Sequence, residues 1–369
     1  MELPRHAEIW LPGYVRDRLN RIGLQPPKRV WVAIADHYEP YWKHADAALA
    51  RERVQRWRAG WPQIAARSVM DSANEPPKYT FYYPQEEYQP ELLDELAEMV
   101  HAGIADVEIH IHHDGQGRQD FIDRMSSFCH VLHDRHGLLR HRDGQLTFGF
   151  IHGNWALDNS LPGGKCCGLN DEITLLRDLG CYADFTMPSA DSPTQSSTVN
   201  TIYWCKDDPN APKSYDTGIP LRVGGGIEGD LLMVPGPLGL RWRERLYPRM
   251  ENGELACYDP PTRYRAQRWF DLAPRIGEDV FIKLFAHGAQ ERHIEVLLRD
   301  ALENAFSDIA AEANERGCSY YFVTTWKMYL AIDAIRRKLD PIKAVAEAAV
   351  ATSPSSLAND GGTGGKSMK

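Results

Sequence analysis

Asp106-Val107-Glu108-Ile109-His110-Ile111-His112-His113-Asp114-Gly115 is the stretch on which the fold turns. It alternates as a β-strand does. Glu108, His110 and His112 share one face, and Val107, Ile109 and Ile111 share the other. The Val/Ile face suits a buried strand. The Glu/His/His face does not, because each imidazole needs a partner and a buried carboxylate costs more still. A metal ion, a proton-transfer role or a polar network would resolve that conflict. His113 points away by alternation, yet it stands where the strand runs out and can rotate in.

Other apolar runs of strand length end in the same way. Residues 29–36 run into Asp36-His37-Tyr38-Glu39-Pro40, and residues 146–151 run into His152-Gly153-Asn154-Trp155. Residues 182–187 carry Asp184, and residues 279–286 end in His287-Gly288. Two more strands are predicted at 79–83 and 319–324. Helical spacing separates these runs, at 45–66, 90–103, 118–135, 172–179, 264–272, 292–315 and 326–339. About seven strands alternating with helices predict an α/β fold whose parallel strands form a barrel or a doubly wound sheet. In a (β/α) barrel the carboxyl ends of the strands converge on one face. Asp36, His37, His110, His112, His152, Asp184 and His287 would then meet there.

The remaining segments divide the chain. Residues 1–28 read as an arm with a basic helical stretch at 15–22, ended by Pro26-Pro27. The body spans 29–340. Within it, residues 188–262 break the rhythm with many Pro and Gly and only short strand candidates, at 199–205, 219–223 and 230–234. They read as an elaborated insertion after the fifth strand, a hairpin or a lid over the site. Gly224-Gly225-Gly226 lacks the long strand and helix that frame a phosphate loop. An Ala-rich helix is predicted at 341–351 and a disordered Ser/Gly/Asn-rich tail at 352–369.

Composition narrows the function classes. Apolar content of 43% and charged content of 25% are those of a soluble globular protein. A net charge of −9, with no basic patch, argues against nucleic-acid binding. No apolar run reaches membrane-spanning length. Seven cysteines without framework spacing and an N-terminus without signal-peptide character predict reduced thiols in a cytoplasmic protein.

Two or three imidazoles, a carboxylate and an open position suit Zn²⁺ and similar divalent ions, which polarise carbonyls and activate water. Hydrolysis also needs a base and an acid. Asp36 is the base candidate if it stands beside a ligand, and His287 the acid candidate. His110 and His112 can both reach one ion. Asp184 can orient a ligand histidine instead of binding metal itself. A rival assignment is a glycosidase that pairs Asp36 or Glu39 with Asp184. Another is a barrel that binds glycans without catalysis.

Taken in order over residues 29–335, these segments resemble the polysaccharide deacetylase (NodB-like) superfamily of metal-dependent carbohydrate esterases. The resemblance implies a distorted (β/α)7 barrel with a metal triad, an aspartate base and a histidine acid. It implies removal of an acyl group, N-acetyl above all, from an amino sugar in a cell-surface glycan or its lipid- or nucleotide-linked precursor. Ala35-Asp36-His37 is similar to the family's Asp-Asp motif in its first half. Asp36 then fits the base, and His37 stands where a metal aspartate is usual. Glu108-Ile109-His110-Ile111-His112-His113 occupies the place of the His-(Ser/Thr)-x-x-His motif with different spacing. His152, Asn154 and Trp155 fill the slot of Arg-x-Pro-Tyr, and Asp184 faintly echoes the fourth motif. Leu284-Phe285-Ala286-His287 resembles the closing Leu-x-His motif. The implied assignment is His37, His110 and His112 as metal ligands and Asp36 and His287 as catalytic groups. Glu108, His113, His152, Asn154, Trp155 and Asp184 would surround them, with Zn²⁺ as the implied ion.

Overall fold

A computed structural model of the chain describes residues 3–243 and 247–351. The expected tail at 352–369 lies outside the described residues. The elements in chain order begin with α1 (Ala7–Asn20), β1 (Arg29–His37), α2 (Ala47–Arg67) and β2 (Tyr79–Pro84). Then come α3 (Pro90–His101), β3 (Ala105–Ile111), α4 (Arg118–His130), β4 (Arg140–Arg142) and β5 (Gln145–His152). The middle of the chain holds α5 (Glu172–Asp178), β6 (Cys181–Asp184), β7 (Tyr203–Cys205), β8 (Ile219–Pro220) and β9 (Leu231–Met233). It continues through β10 (Gly239–Arg243), β11 (Tyr247–Glu251), β12 (Glu254–Leu255), α6 (Arg263–Leu272), β13 (Arg275–Ile276) and β14 (Asp279–Ala286). The chain closes with α7 (Glu291–Val296), α8 (Leu302–Glu315), β15 (Ser319–Phe322), α9 (Thr325–Arg336) and α10 (Pro341–Ala351).

All but the β10–β11 hairpin form one mostly parallel sheet, whose main path runs β12-β14-β1-β2-β3-β5-β6-β9-β7-β8. One edge of β1 is shared. Arg29–Val32 pair with β15, and Ala35–His37 pair with β2. The expected seventh strand is therefore wedged beside the first half of β1. Among the described residues no strand pairing joins the two ends of the path, so ladder hydrogen bonds do not close it into a barrel.

Alternation sorts the core into two layers. Val30, Val32 and Ile34 of β1 join Val107, Ile109 and Ile111 of β3 in a cluster shared with α2, α3, α4 and α8. Trp31, Ala33 and Ala35 face the other way, with Tyr82, Phe281 and Met328 of α9. α3 is a clear case of local coding. Pro90 starts it, Leu92, Leu93, Leu96 and Met99 bury one stripe, and Gly103 follows its end at a φ of 74°. Asp46 caps α2 through the Leu49 amide at 2.9 Å, and Thr324 caps α9 through the Lys327 amide at 3.3 Å. Among the described residues no helix is long and apolar enough to cross a membrane.

Three expectations change. The first helix spans Ala7–Asn20 instead of 15–22, because Trp10 buries itself against Ala190, Val199 and Leu238, a contact with no local signature. Within residues 188–262, β9 falls in the expected 230–234 run and lies parallel to β6, whereas β12, which no candidate run covered, lies parallel to β14. β12 has only two residues, too few to show a period. The helix expected at 292–315 contains a π turn at Leu297–Ala301 between α7 and α8.

Candidate functional site

The parallel register sets the strand ends level. Asp36 lies opposite Ala286, and Ile111 lies opposite His152. Beyond these ends is a cavity of about 430 Å³ whose walls include His37, Glu39, His112, Trp155, Glu254 and His287. A shallower groove of about 570 Å³ between α2 and α7 carries Arg56, Gln63, Glu295 and Arg299 as its polar side chains and no imidazole.

Glu39 follows His37 by two residues, and its carboxylate meets both histidines of β3 and its extension. His110 Nε2 is 3.3 Å from Glu39 Oε1, and His112 Nε2 is 3.5 Å from the same oxygen. The outer nitrogens are already committed. His110 Nδ1 is 2.8 Å from the Ile151 carbonyl oxygen, and His112 Nδ1 sits against the Glu86 carboxylate. Those acceptors place a ring proton on each Nδ1, so in the neutral rings both Nε2 lone pairs face Glu39. Two lone pairs against one carboxylate repel unless a second ring proton or a metal cation lies between them. Among the described residues, His110 Nε2 is buried without a hydrogen-bond partner. Glu39, His110 and His112 can therefore hold a metal ion, each offering a ligand atom within 4.8 Å of the others.

His37 stands beside this group. Its ring centroid is 5.4 Å from that of His110 and 4.9 Å from that of His287. Burial and the neighbouring imidazoles of His287 and His110 hold its pKa well below the usual histidine range, so it is neutral. Its Nε2 is also buried without a partner among the described residues. His287 is partly exposed, with Nδ1 3.9 Å from Glu254 Oε1. Burial pushes the Glu39 carboxyl up, but His110, His287 and His112 outweigh it and leave Glu39 below the usual carboxylate range. Burial lowers His112, yet Glu86 outweighs it and raises the net value. Asn154 and Trp155 reach the cavity through a left-handed turn, with φ of 55° and 53°. Such a backbone is strained for a bulky residue and persists only where its surroundings hold it.

Several sequence candidates lie elsewhere. Asp36 and His37 are neighbours on one strand, so they point to opposite faces. Asp36 Oδ2 accepts from the Tyr79 hydroxyl at 3.0 Å and Oδ1 from the Gly288 amide at 2.6 Å, in the layer beneath α2. Burial raises its pKa to about 7. Glu108 is buried in an ion pair with Arg140 and accepts from the Tyr182 hydroxyl at 2.9 Å. A Cβ at Gly149 would lie 2.6 Å from that hydroxyl, so glycine is needed for Tyr182 to reach Glu108. Asp184 takes the Thr186 hydroxyl at 2.7 Å, and Thr186 in turn accepts the His152 amide at 2.9 Å. Asp184 thus positions backbone near a histidine and is remote from the cavity lining.

His113 and His152 belong to a second group, on the helix side of the sheet. His113 Nε2 lies 2.8 Å from Glu172 Oε1, and the two Nε2 atoms are 3.0 Å apart. Cys167 completes this fully buried set, which can also hold a metal ion. Glu86, Glu254, Cys167 and Glu172 were not among the expected ligands or catalytic groups, and Glu39 was expected only as a carboxylate of the rival glycosidase. Alternation from His37 points to Glu39; the others come from distant segments with no local signal. No protein-family model matches the chain, and no curated protein matches it either.

Proposed function

We propose that the chain is a metal-dependent hydrolase that removes an acyl group, N-acetyl above all, from an amino sugar in a glycan or its precursor. One observation carries this reading: His110 and His112, each with Nδ1 already engaged, turn their Nε2 atoms onto Glu39 beside an open cavity. A divalent ion held there, Zn²⁺ by its fit to nitrogen and oxygen ligands, supplies Lewis-acid polarisation of an acyl carbonyl and acidifies water. Neutral His37 then accepts the proton of the attacking water through its free Nε2. His287, steadied by Glu254, delivers a proton to the departing amine. Trp42, Trp155 and Tyr258 offer aromatic faces for a sugar ring, in a volume that suits a small ligand.

A distorted (β/α)7 barrel is the architecture that fits this reading. Lys283 Nζ of β14 donates to the carbonyls of Phe185 and Met187 beyond β6, at 2.9 and 2.6 Å. A Cβ at Gly236, beyond β9, would lie 2.5 Å from the Lys283 carbonyl oxygen. Loop and side chain thus span the gap that strand pairing leaves. The glycosidase reading loses ground because, of its expected carboxylates, only Glu39 lines the cavity, while Asp36 and Asp184 are engaged in hydrogen bonds outside its lining.

The test is elemental analysis of the purified chain, followed by assay of acetylated amino sugars with and without chelator. Acetate release that chelator abolishes and added metal restores is expected. Release that survives complete metal removal would overturn the reading.

A further inference from the structure

We infer that the chain carries a second, structural zinc, bound by His113, His152, Cys167 and Glu172. This inference does not rest on the proposed activity, because these residues lie on the opposite side of the sheet from the cavity. His152 ends β5 on the face of Phe148 and Phe150, and His113 packs on Phe121 of α4. All four residues are buried, with their ligand atoms within 4.8 Å of one another. The donors also come from separate segments: the β3 exit, the β5 end, the 156–170 loop and the start of α5.

Proton placement supports the ion. His152 Nδ1 lies 2.6 Å from the Gly153 carbonyl oxygen and must carry the proton. Its Nε2 then presents a lone pair 3.2 Å from Glu172 Oε1 and 3.0 Å from His113 Nε2. A proton on His113 Nε2 can satisfy the carboxylate or His152, and one repulsive contact remains. A cation at the centre removes it. Tetrahedral zinc with ligand bonds near 2.0–2.1 Å separates N and O donors by roughly 3.3 Å. The spacings of 2.8, 3.0 and 3.2 Å already approach that value.

The sulfur is tied directly to the same carboxylate. Cys167 Sγ receives the Asn159 amide at 3.2 Å and the Leu169 amide at 3.5 Å. Its thiol donates to Glu172 Oε2 at 3.4 Å and to the Leu169 carbonyl at 3.5 Å, so sulfur and carboxylate already share one proton that a metal would displace. Burial and Glu172 push the thiol pKa up when no metal is bound. Zinc would bind the thiolate, releasing the thiol proton to solvent. The Asp158 amide, 2.7 Å from Glu172 Oε2, fixes the carboxylate from behind. A mixed N, S and O set with no access to the cavity is that of a closed structural site.

The experiment uses the full chain with His110→Ala and His112→Ala combined, which removes two ligands of the open site. After dialysis against chelator, mass spectrometry is expected to find about one zinc per chain still bound. Protein produced with Co²⁺ should show a thiolate-to-cobalt charge-transfer band in the near ultraviolet, and adding Cys167→Ser should abolish it. A double variant that holds and takes up no metal overturns the inference. So does a cobalt band that survives Cys167→Ser. Should Cys167→Ser fail to fold, the metal content and spectrum of the double variant still decide the matter. Hydrolysis that persists in the double variant, with this zinc retained, would count against the proposed activity and leave the structural site standing.

Discussion

At the scale of single residues, the open site depends on side chains that hold other side chains. Glu86 receives the His112 amide at 3.2 Å and also fixes Nδ1 of that ring. Glu86→Gln keeps the shape but weakens the orientation, and it is expected to lower metal affinity about 10- to 100-fold. Competition titration against a chelating dye would show it, and unchanged affinity would rule out a ligand role for His112. His110→Ala should empty the open site, whereas His287→Ala should retain its metal and lose turnover. Asp36 gives a different signature. Its carboxyl is raised to about 7 by burial, against about 4 in an unfolded chain. The folded state therefore holds the extra proton between those values, and stability falls as pH rises from about 4 to about 7. At about 1.4 kcal/mol per unit this contribution reaches about 4 kcal/mol. Asp36→Asn should flatten that slope in urea unfolding of metal-free protein, and an unaltered slope would mean that Asp36 is ionised when buried. The separation of Asp36 from His37 was legible in the sequence, since strand neighbours face opposite ways. The family resemblance, which implies Asp36 as base and His37 as metal ligand of one site, pointed against it. Glu39 follows from the same alternation. Glu86, Cys167 and Glu172 do not, because only tertiary packing brings them to the histidines.

At the scale of elements, the strands that deliver the site were readable because each is an apolar run of strand length closed by polar residues. β1, β3, β5 and β14 fall where the pattern predicts. β7, β8 and β9 span two or three residues each, and their pairing is decided by partners distant in sequence. The β5 exit couples element to site. A Cβ at Gly153 would lie 2.3 Å from His112 Cδ2 and 2.7 Å from the Ile111 carbonyl oxygen, so this turn packs directly on the end of β3. Gly153→Ala must push the two strand ends apart or rotate His112. The expected result is a fall of about tenfold or more in open-site metal affinity, comparable with losing an orienting partner. Far-ultraviolet circular dichroism should stay native. Wild-type affinity in Gly153→Ala would show that His112 is not a ligand in the arrangement described.

At the scale of the whole molecule, the sheet keeps two polar centres apart, one opening to the cavity and one sealed beneath helices, with the backbone of β3 and β5 between them. Among the described residues no strand pairing joins β9 to β14. Lys283 bridges the two sides with its side chain. It is fully buried, and its ammonium serves the Phe185 and Met187 carbonyls. Lys283→Met preserves most of the volume but leaves two buried acceptors without their donor, a loss of about 1–3 kcal/mol. Burial lowers the Lys283 pKa to about 7, against about 10.4 in an unfolded chain. Between those values the unfolded chain binds the extra proton, so this group makes stability rise with pH across that window. The lysine thus opposes Asp36, whose contribution changes below neutrality. Urea midpoints of wild type and Lys283→Met, compared at about pH 7 and about pH 9.5, should diverge as the pH rises, with only the wild type gaining from this source. Parallel behaviour of the two proteins would mean that Lys283 keeps its proton throughout and acts as a fixed ionic strut across the gap.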